Sequence, residues 1–261
     1  IGISRNKSTF YKHKNYFYFS NKKFFYNELL KEKIKGLINN ENYKNKIFLN
    51  LAWSGEKSLS DGGLDIQLSN TILSTNFLDL AADLNFDRFI NVGSILEKFF
   101  DQYLNLDWKN SNFSFNNQRN YILSKSINRD FCSLKAYLKK IDYVHCTFSV
   151  FIDEEITGKG YIHNVLRNIS KGQSYVDPNN DQFYDLTNLK EGCEAISKLC
   201  LLGNNKGNYY IGCSKPLMLK DIFNIFKDQK NSKEIVRCIK KPNTNINKLF
   251  DNSDLFKDTG F

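Results

Sequence analysis

The chain has 261 residues, of which 41% are apolar and 15% aromatic, and a formal net charge of +9. These values are typical of a folded protein of one large domain or two lobes, and they exclude a disordered chain. The basic residues are scattered among Asn, Phe and Tyr, which does not favour a nucleic-acid partner. No apolar run approaches the ~18 residues of a membrane-spanning helix, so we expect a cytoplasmic protein without a membrane partner.

The cysteines and histidines do not follow metal-ligand patterns. The six cysteines include no Cys-x-x-Cys pair, and His13, His145 and His163 form no ligand cluster. We therefore expect free thiols, in keeping with a reducing cytoplasm, and no metal site.

Strand and helix patterns alternate along the first half of the chain. Apolar runs predict strands at residues 17–19, 46–53, 88–94 and 143–151, and helical spacing predicts helices at 24–38, 64–84 and 121–138. This alternation predicts an α/β fold with a parallel sheet and helices on both faces. Ligands of such sheets bind beyond the carboxyl ends of the strands, where Ser54, Ser94 and the loop after Val150 fall.

After residue 152 the alternation of strand and helix patterns becomes less regular. The predicted helices cover 161–170, 189–202 and 219–226, with a last one beginning at 254–257, and extended segments cover 174–176, 208–212 and 234–239. We interpret residues 1–152, with 183–212 returning to them, as the main domain. Residues 153–182 and 213–261 would form a smaller lobe at the edge of its sheet.

Tyr121 and Lys125 stand out because they are four residues apart in a predicted helix. Two such residues lie on one face, so the ammonium can stabilise the ionised phenol and lower its pKa. A phenol tuned in this way can transfer protons near neutral pH. The same spacing also arises by chance on a solvent-exposed helix face.

Several short segments of the chain match the motifs of one enzyme family in the same order. They are 49–55 (LNLAWSG), 67–70 (QLSN), 89–97 (FINVGSILE), the pair Tyr121 and Lys125, 182–185 (QFYD) and 209–212 (YYIG). In these residues the chain resembles the extended short-chain dehydrogenase/reductases, which include nucleotide-sugar epimerases, dehydratases and ketoreductases. Within this family, the residues of these motifs are most similar to those of the group that contains CDP-abequose synthase.

The resemblance implies a Rossmann-like doubly wound parallel sheet, a smaller α+β substrate lobe and a catalytic site of Ser94, Tyr121 and Lys125. Tyr121 would transfer the proton of a sugar hydroxyl while a nicotinamide takes or gives hydride at the attached carbon. Lys125 would lower the pKa of the phenol and hold the nicotinamide ribose. Ser94 would bind the same sugar oxygen, or would only be a turn residue that closes a strand.

Further residues are assigned by the resemblance to the cofactor and the substrate. Ala52 and Trp53 would line the nicotinamide side of the cleft, although Trp53 also suits an ordinary core position. Arg5, at the end of a strand, suits the extra phosphate of NADP, so NADP is slightly preferred to NAD; alternatively Arg5 is an exposed arginine at a strand end without a ligand. Arg167 would meet the nucleotide diphosphate or face solvent. Asn70 would tie its helix to the active-site strand or be only a polar helix residue.

The resemblance also concerns the ends of the chain. Residues 1–5 match the second strand of the family, so we expect a first strand, its glycine-rich turn and a helix upstream in the parent gene, and one further helix downstream. The chain departs from the family at Ser149, Phe151 and Ile152, where Asn and Tyr-Gly are usual.

These residues lead to two hypotheses for the function of the chain. The favoured one is an NAD(P)-dependent 4-keto reductase or 4-epimerase of a CDP- or dTDP-sugar in surface polysaccharide biosynthesis. The family implies a homodimer formed through helices 64–84 and 121–138. The alternative is a non-catalytic nucleotide-binding or interaction protein on the same scaffold, because the glycine-rich turn is absent from the given sequence.

Overall fold

The computed structural model of the chain describes residues 2–4, 18–20, 28–39, 44–104, 118–158, 160–175, 183–228 and 248–261. The strands are β1 (Gly2–Ser4), β2 (Tyr18–Ser20), β3 (Ile47–Asn50), β4 (Arg88–Val92), β5 (Asp142–Phe148), β6 (Val150–Ile152), β7 (Phe183–Tyr184), β8 (Leu186–Asn188), β9 (Asn208–Ile211) and β10 (Leu217–Met218). The helices are α1 (Glu28–Asn39), α2 (Leu64–Asp83), α3 (Ile95–Leu104), α4 (Arg119–Lys139), α5 (Tyr161–Ser170), α6 (Leu189–Leu202), α7 (Leu219–Lys227) and α8 (Ser253–Thr259).

The central element is a four-stranded parallel sheet in the order β3-β4-β5-β9. Strands β1 and β2 form a separate parallel pair, as do β6 and β8, whereas β7 and β10 pair antiparallel. Parallel neighbours require crossover connections, and α2 and α4 lie in two of these connections. The predicted fold class, a Rossmann-like α/β arrangement, is confirmed.

Apolar side chains cover both faces of this sheet. Successive residues of a strand point to opposite faces, so Phe48 and Phe89 pack on one side with α2 and α4. Leu49 and Ile90 pack on the other side with α6 and α8. The sheet is therefore buried between two helical layers, which explains why its strands read as nearly continuous apolar runs.

A separate apolar cluster joins α5 and α7 to the short strands β6 and β8. It includes Leu166, Leu186 and Ile222, which are fully buried. Strand β9, in contrast, adds to the edge of the main sheet beside β5. The predicted boundaries between the two lobes stay a prediction.

The structure differs from the sequence-based prediction in several short elements. Strand β3 ends at Asn50, so residues 51–53 form a loop, and the strand predicted at 143–151 is two strands that pair with different partners. Strands β7, β8 and β10 have two or three residues each, which is too short for any apolar periodicity to show. The strand predicted at 234–239 and residue 176 lie outside the described residues.

Helix α3 is the largest element that the sequence analysis does not predict. The pattern after Val92 predicts only a turn, whereas a ten-residue helix starts at Ile95. Its first turn is closed by Ser94 and Glu97: the Ser94 hydroxyl accepts from the Leu96 amide at 3.3 Å, and the Ser94 amide donates to Glu97 Oε1 at 2.7 Å. This reciprocal pair is a capping box, which stabilises a helix start.

Within the described ranges, no helix combines the length and the apolar content that a membrane span requires. The described residues also contain no group of three His, Cys, Asp or Glu side chains arranged as metal ligands. The five described cysteines are free thiols, and Cys238 lies outside the described residues.

Candidate functional site

Four side chains meet at the carboxyl ends of β3 and β4. Trp53 follows β3, Ser94 follows β4, and Tyr121 and Lys125 lie one turn apart on α4. The Lys125 ammonium donates to the carbonyl oxygen of Val92, the last residue of β4, at 2.9 Å. The group therefore lies at the edge of the sheet where parallel α/β folds bind their ligands.

Aromatic rings flank the ammonium of Lys125. Its Nζ lies 3.9 Å from the ring centroid of Trp53 and 5.8 Å from that of Tyr121. The two rings meet edge to face, with their centroids 5.9 Å apart. Ser94 lies close enough to Tyr121 for its hydroxyl to act on the pKa of the phenol. The structure thus brings together the three residues predicted to transfer protons.

Burial shifts the pKa values of the two ionisable groups in opposite directions. It raises the pKa of Tyr121 to about 12, although the Ser94 hydroxyl acts to lower it. It lowers the pKa of Lys125 to about 8, although the charge of Glu97 acts to raise it. The pKa of Tyr121 is thus raised overall, because the loss of hydration outweighs the effect of Ser94. The lowering of this pKa by Lys125 stays a prediction.

Trp53 is held in place by α2. Its indole Nε1 donates to Gln67 Oε1 at 2.8 Å, and Gln67 Nε2 donates in turn to the backbone carbonyls of Leu59 and Asp61. Trp53 is buried and is therefore a core residue. Its ring also lines the site, because it contacts the Lys125 ammonium. The methyl group of Ala52 packs against the apolar core that includes α2 and α4.

Asn70 connects α2 to the loop after β3. Its Oδ1 accepts from the Ser54 amide at 2.9 Å and from the Ser54 hydroxyl at 3.1 Å. Its Nδ2 donates to the carbonyl oxygens of Ser54 at 2.7 Å and Ile66 at 3.2 Å. Asn70 therefore connects α2 to the loop that follows β3 and is not only a polar residue of the helix.

Arg167, one of the two predicted arginines, does not join this group. Arg167, on α5, donates from Nη1 to the carbonyl oxygens of Ile156 and Gly158 and from Nη2 to Asn164 Oδ1. In this structure its guanidinium holds the loop before α5. Arg5 lies outside the described residues.

The sequence analysis did not assign a role to Glu97 or His145, which lie directly behind Ser94. Glu97 Oε2 and His145 Nε2 are 3.0 Å apart, and both side chains are buried. The spacing Ser94-x-x-Glu97 is the sequence signal of a capping box and could have identified Glu97. No local signal identifies His145, because its contact with Glu97 joins residues 48 positions apart in the chain.

No family model and no curated protein matches the sequence. Solved structures, however, match its fold. The UDP-N-acetylglucosamine 4-epimerase from Bacillus cereus has a TM-score of 0.67 and 14% identity, over 96% of this chain and 79% of that one. The dTDP-glucose 4,6-dehydratase from Bacillus anthracis in complex with NAD has a TM-score of 0.65 and 12% identity, over 95% and 75% of the two chains.

The enzyme WbmG from Bordetella bronchiseptica, in complex with NAD and UDP, is a third match. Its TM-score is 0.57 at 14% identity, over 88% of this chain and 71% of that one. The chain shares the fold of these proteins. At such low identity the likeness concerns the fold alone, so the chemistry has to be argued from the site.

Proposed function

We propose that the chain is an NAD(P)-dependent oxidoreductase of nucleotide sugars that reduces a 4-keto group or epimerises the 4-position through a transient ketone. The proposal is carried by one observation, the meeting of Ser94, Tyr121 and Lys125 at the carboxyl edge of a parallel sheet. A phenol, a hydroxyl and a fixed cation supply what interconversion of a ketone and an alcohol requires of a protein. Two structures of the same fold are of a nucleotide-sugar epimerase and a nucleotide-sugar dehydratase, which supports the substrate class.

The hydrogen-bond directions around Ser94 suit proton donation to a ketone. Ser94 Oγ accepts from the Leu96 amide at 3.3 Å, so its hydroxyl hydrogen can be directed to a substrate oxygen. The raised pKa keeps Tyr121 protonated, which is the form that gives a proton to that oxygen. In the oxidative direction the phenolate has to form, and the charge of Lys125 would stabilise it.

Lys125 and the cleft beside it fit a nicotinamide nucleoside. One N–H of the ammonium is bound to the Val92 carbonyl, and its other N–H groups are suited to ribose hydroxyls. When bound, the nicotinamide supplies or accepts the hydride at the carbon that bears the sugar oxygen. The preference for NADP rests on the charge of Arg5, whereas two of the three matched structures named above contain NAD.

The residues after Ser94 favour reduction or epimerisation over dehydration. Loss of water from the sugar needs a further acid and base beside Tyr121. Ile95 and Leu96 are aliphatic, and both carboxylate oxygens of the buried Glu97 are already hydrogen-bonded. Among the described residues that contact Tyr121 or influence its pKa, none is a carboxylate free to serve in that step.

The proposal is tested by incubating the full-length protein with CDP- and dTDP-4-keto-6-deoxysugars and either NADPH or NADH. Loss of reduced cofactor equal to the alcohol formed from the 4-keto sugar identifies a reductase. An epimerase is identified in a second incubation, of the corresponding 4-hydroxy sugar nucleotide with oxidised cofactor, in which the 4-epimer forms without net change of the cofactor. Faster turnover with NADH would reject the NADP preference. Cofactor binding without turnover of any of these sugars would overturn the enzymatic function and support the non-catalytic alternative.

A matched variant separates chemistry from binding in the same assay. Tyr121→Phe removes the phenol and keeps the ring against Trp53, so we expect turnover to fall by about 10²–10⁴-fold with binding of the cofactor retained. Wild-type turnover in this variant would remove Tyr121 from the mechanism.

We also propose a homodimer through the outer face of α2 and α4. Both helices expose apolar side chains there, namely Ile72, Leu123, Phe131, Leu134 and Leu138. The four residues of α4 recur at helical spacing, so they share one face. A contiguous apolar face of this kind is typical of a protein interface.

A further inference from the structure

A buried acid and imidazole lie directly beneath the backbone that carries Ser94. Glu97 is fully buried and His145 is 2% exposed. Glu97 Oε1 accepts from the Ser94 amide at 2.7 Å, while Oε2 lies 3.0 Å from His145 Nε2. One carboxylate therefore joins the end of β4, where Ser94 is placed, to the side chain of a residue in the middle of β5.

The contacts of His145 continue across the interior. Its Nδ1 lies 3.4 Å from the Tyr143 hydroxyl, which donates its own hydrogen to the carbonyl oxygen of Arg129 at 3.2 Å. The hydroxyl oxygen also accepts from Asn91 Nδ2 at 3.4 Å. His145 Nδ1 thus has the Tyr143 hydroxyl as its partner, and Nε2 has the Glu97 carboxylate. Both ring nitrogens are thus fixed by partners on neighbouring elements.

The packing at Gly93 shows how closely this pair approaches the backbone. A Cβ atom at position 93 would lie under 3.0 Å from Glu97 Oε1 and from His145 Nε2. The absence of a side chain at Gly93 therefore lets the pair contact the strand end immediately before Ser94.

We propose that Glu97 and His145 are positioning residues, which hold Ser94 at the distance from Tyr121 that proton transfer requires. The proposal rests on the proposed oxidoreductase function, because it assigns the pair a role in that reaction. A capping box needs only Ser94 and Glu97, and an exposed glutamate would satisfy it. Here the carboxylate is also buried and is held by His145 of β5. A movement of the first turn of α3 alone therefore cannot displace Ser94.

Loss of the restraint on Ser94 should have a specific kinetic effect. Misplacement of a reacting group by about 1 Å can cost about 10²-fold in rate. Loss of the pair should therefore lower kcat by about 10²-fold and leave KM unchanged, because neither residue reaches the surface where a sugar nucleotide binds. A residue that only stabilised the fold would reduce the amount of folded protein and leave kcat per folded molecule unchanged.

Three variants and a control test this expectation in the reduction assay, each with its folded fraction measured by circular dichroism. Glu97→Ala removes the carboxylate and with it the contacts to His145 and to the Ser94 amide. Gly93→Ala displaces Glu97 and His145 from the strand without removing a polar group. Glu97→Gln keeps an acceptor for the Ser94 amide and a donor for His145 Nε2. We therefore expect kcat near that of the wild type at a pH well below 8, where Lys125 stays charged without the help of the Glu97 charge. Gly36→Ala is the matched glycine control, since a Cβ there meets nothing within 4 Å.

A second readout does not depend on turnover. Hydrogen exchange of the Ser94 amide, followed by NMR, should be slow in the wild type and in Glu97→Gln and fast in Glu97→Ala. If the wild type turns over no sugar, the proposed function fails, but this exchange pattern still decides whether the pair restrains Ser94.

Several results would overturn the proposal. Wild-type kcat in folded Glu97→Ala, unchanged exchange of the Ser94 amide, or an equal loss of kcat in Gly36→Ala would each do so. Unfolding of both Glu97→Ala and Gly93→Ala, with Glu97→Gln folded and active, would show that the pair serves the fold and not the position of Ser94.

Discussion

At the scale of single residues, burial controls the protonation of the site. The pKa of Tyr121 rises because the phenolate would lose its hydration, and the pKa of Lys125 falls because the ammonium loses its hydration. Both shifts disfavour charge. The cation nevertheless keeps two partners, the Val92 carbonyl oxygen and the face of Trp53, which offset part of that loss.

These shifts predict the pH dependence of ketone reduction. The value of kcat/KM should fall as the pH rises through about 8, because Lys125 loses its charge there while Tyr121, whose pKa is about 12, stays protonated. The measurement is kcat/KM with NADPH across that range. In Lys125→Arg the guanidinium stays charged, so this loss should disappear. A profile of the wild type that is flat through pH 8 would contradict the role given to Lys125.

The hydrogen bonds of Asn70 predict a loss of stability in Asn70→Leu. The variant leaves the Ser54 amide and carbonyl without their partner in the loop after β3. Loss of a partner costs about 1–3 kcal/mol for a buried group, so we expect at most that much for each of these part-buried groups. Urea unfolding followed by circular dichroism gives the free energy of unfolding. Ser69→Ala, one residue earlier on the exposed side of α2, is the control and should change it by at most about 0.5 kcal/mol. Equal stability of the two variants would contradict the structural tie.

At the scale of elements, Ser94 serves two purposes because it is the cap of α3 and the hydroxyl beside Tyr121. Its two purposes predict different outcomes for three substitutions. Ser94→Thr keeps the cap and the hydroxyl, Ser94→Asn keeps the cap alone, and Ser94→Ala loses both.

We expect Ser94→Ala to lose about 0.5–2 kcal/mol of stability together with activity, whereas Ser94→Asn should lose activity at nearly wild-type stability. Ser94→Thr should retain both. Thermal unfolding and the reduction assay, run on the same samples, measure the two effects. Full activity in Ser94→Asn would show that the hydroxyl takes no part in the reaction.

Long elements follow from the sequence and short ones do not. Helix α2 and strand β4 were predictable almost to the residue, because each has enough residues to show its apolar pattern. Strands β6, β7, β8 and β10 exist because a distant segment offers a partner, as Val150 pairs with Leu186. Helix α3 depends on its capping box, a signal of four residues that apolar periodicity does not include.

At the scale of the whole molecule, the exposed face of α4 predicts the effect of charge on assembly. Leu134 is 58% exposed on that face, and Leu134→Glu should convert a homodimer into a monomer, because a charge cannot be buried unpaired in an apolar interface. Sedimentation velocity measures the change. Leu201→Glu, at a 61% exposed leucine of α6 on another side of the sheet, is the control and should leave the dimer intact. A wild-type monomer at all concentrations would reject the proposed interface.

The sequence by itself determined the α/β class and the segments that carry Ser94, Tyr121 and Lys125, because these follow from local patterns and short motifs. Only the tertiary structure decided the direction of their pKa shifts and the engagement of Arg167 with its own loop. It also decided the contact between Glu97 and His145. The physical reason is that burial and hydrogen-bond partners depend on which distant segments meet, and a local pattern carries no information about its partner across the fold.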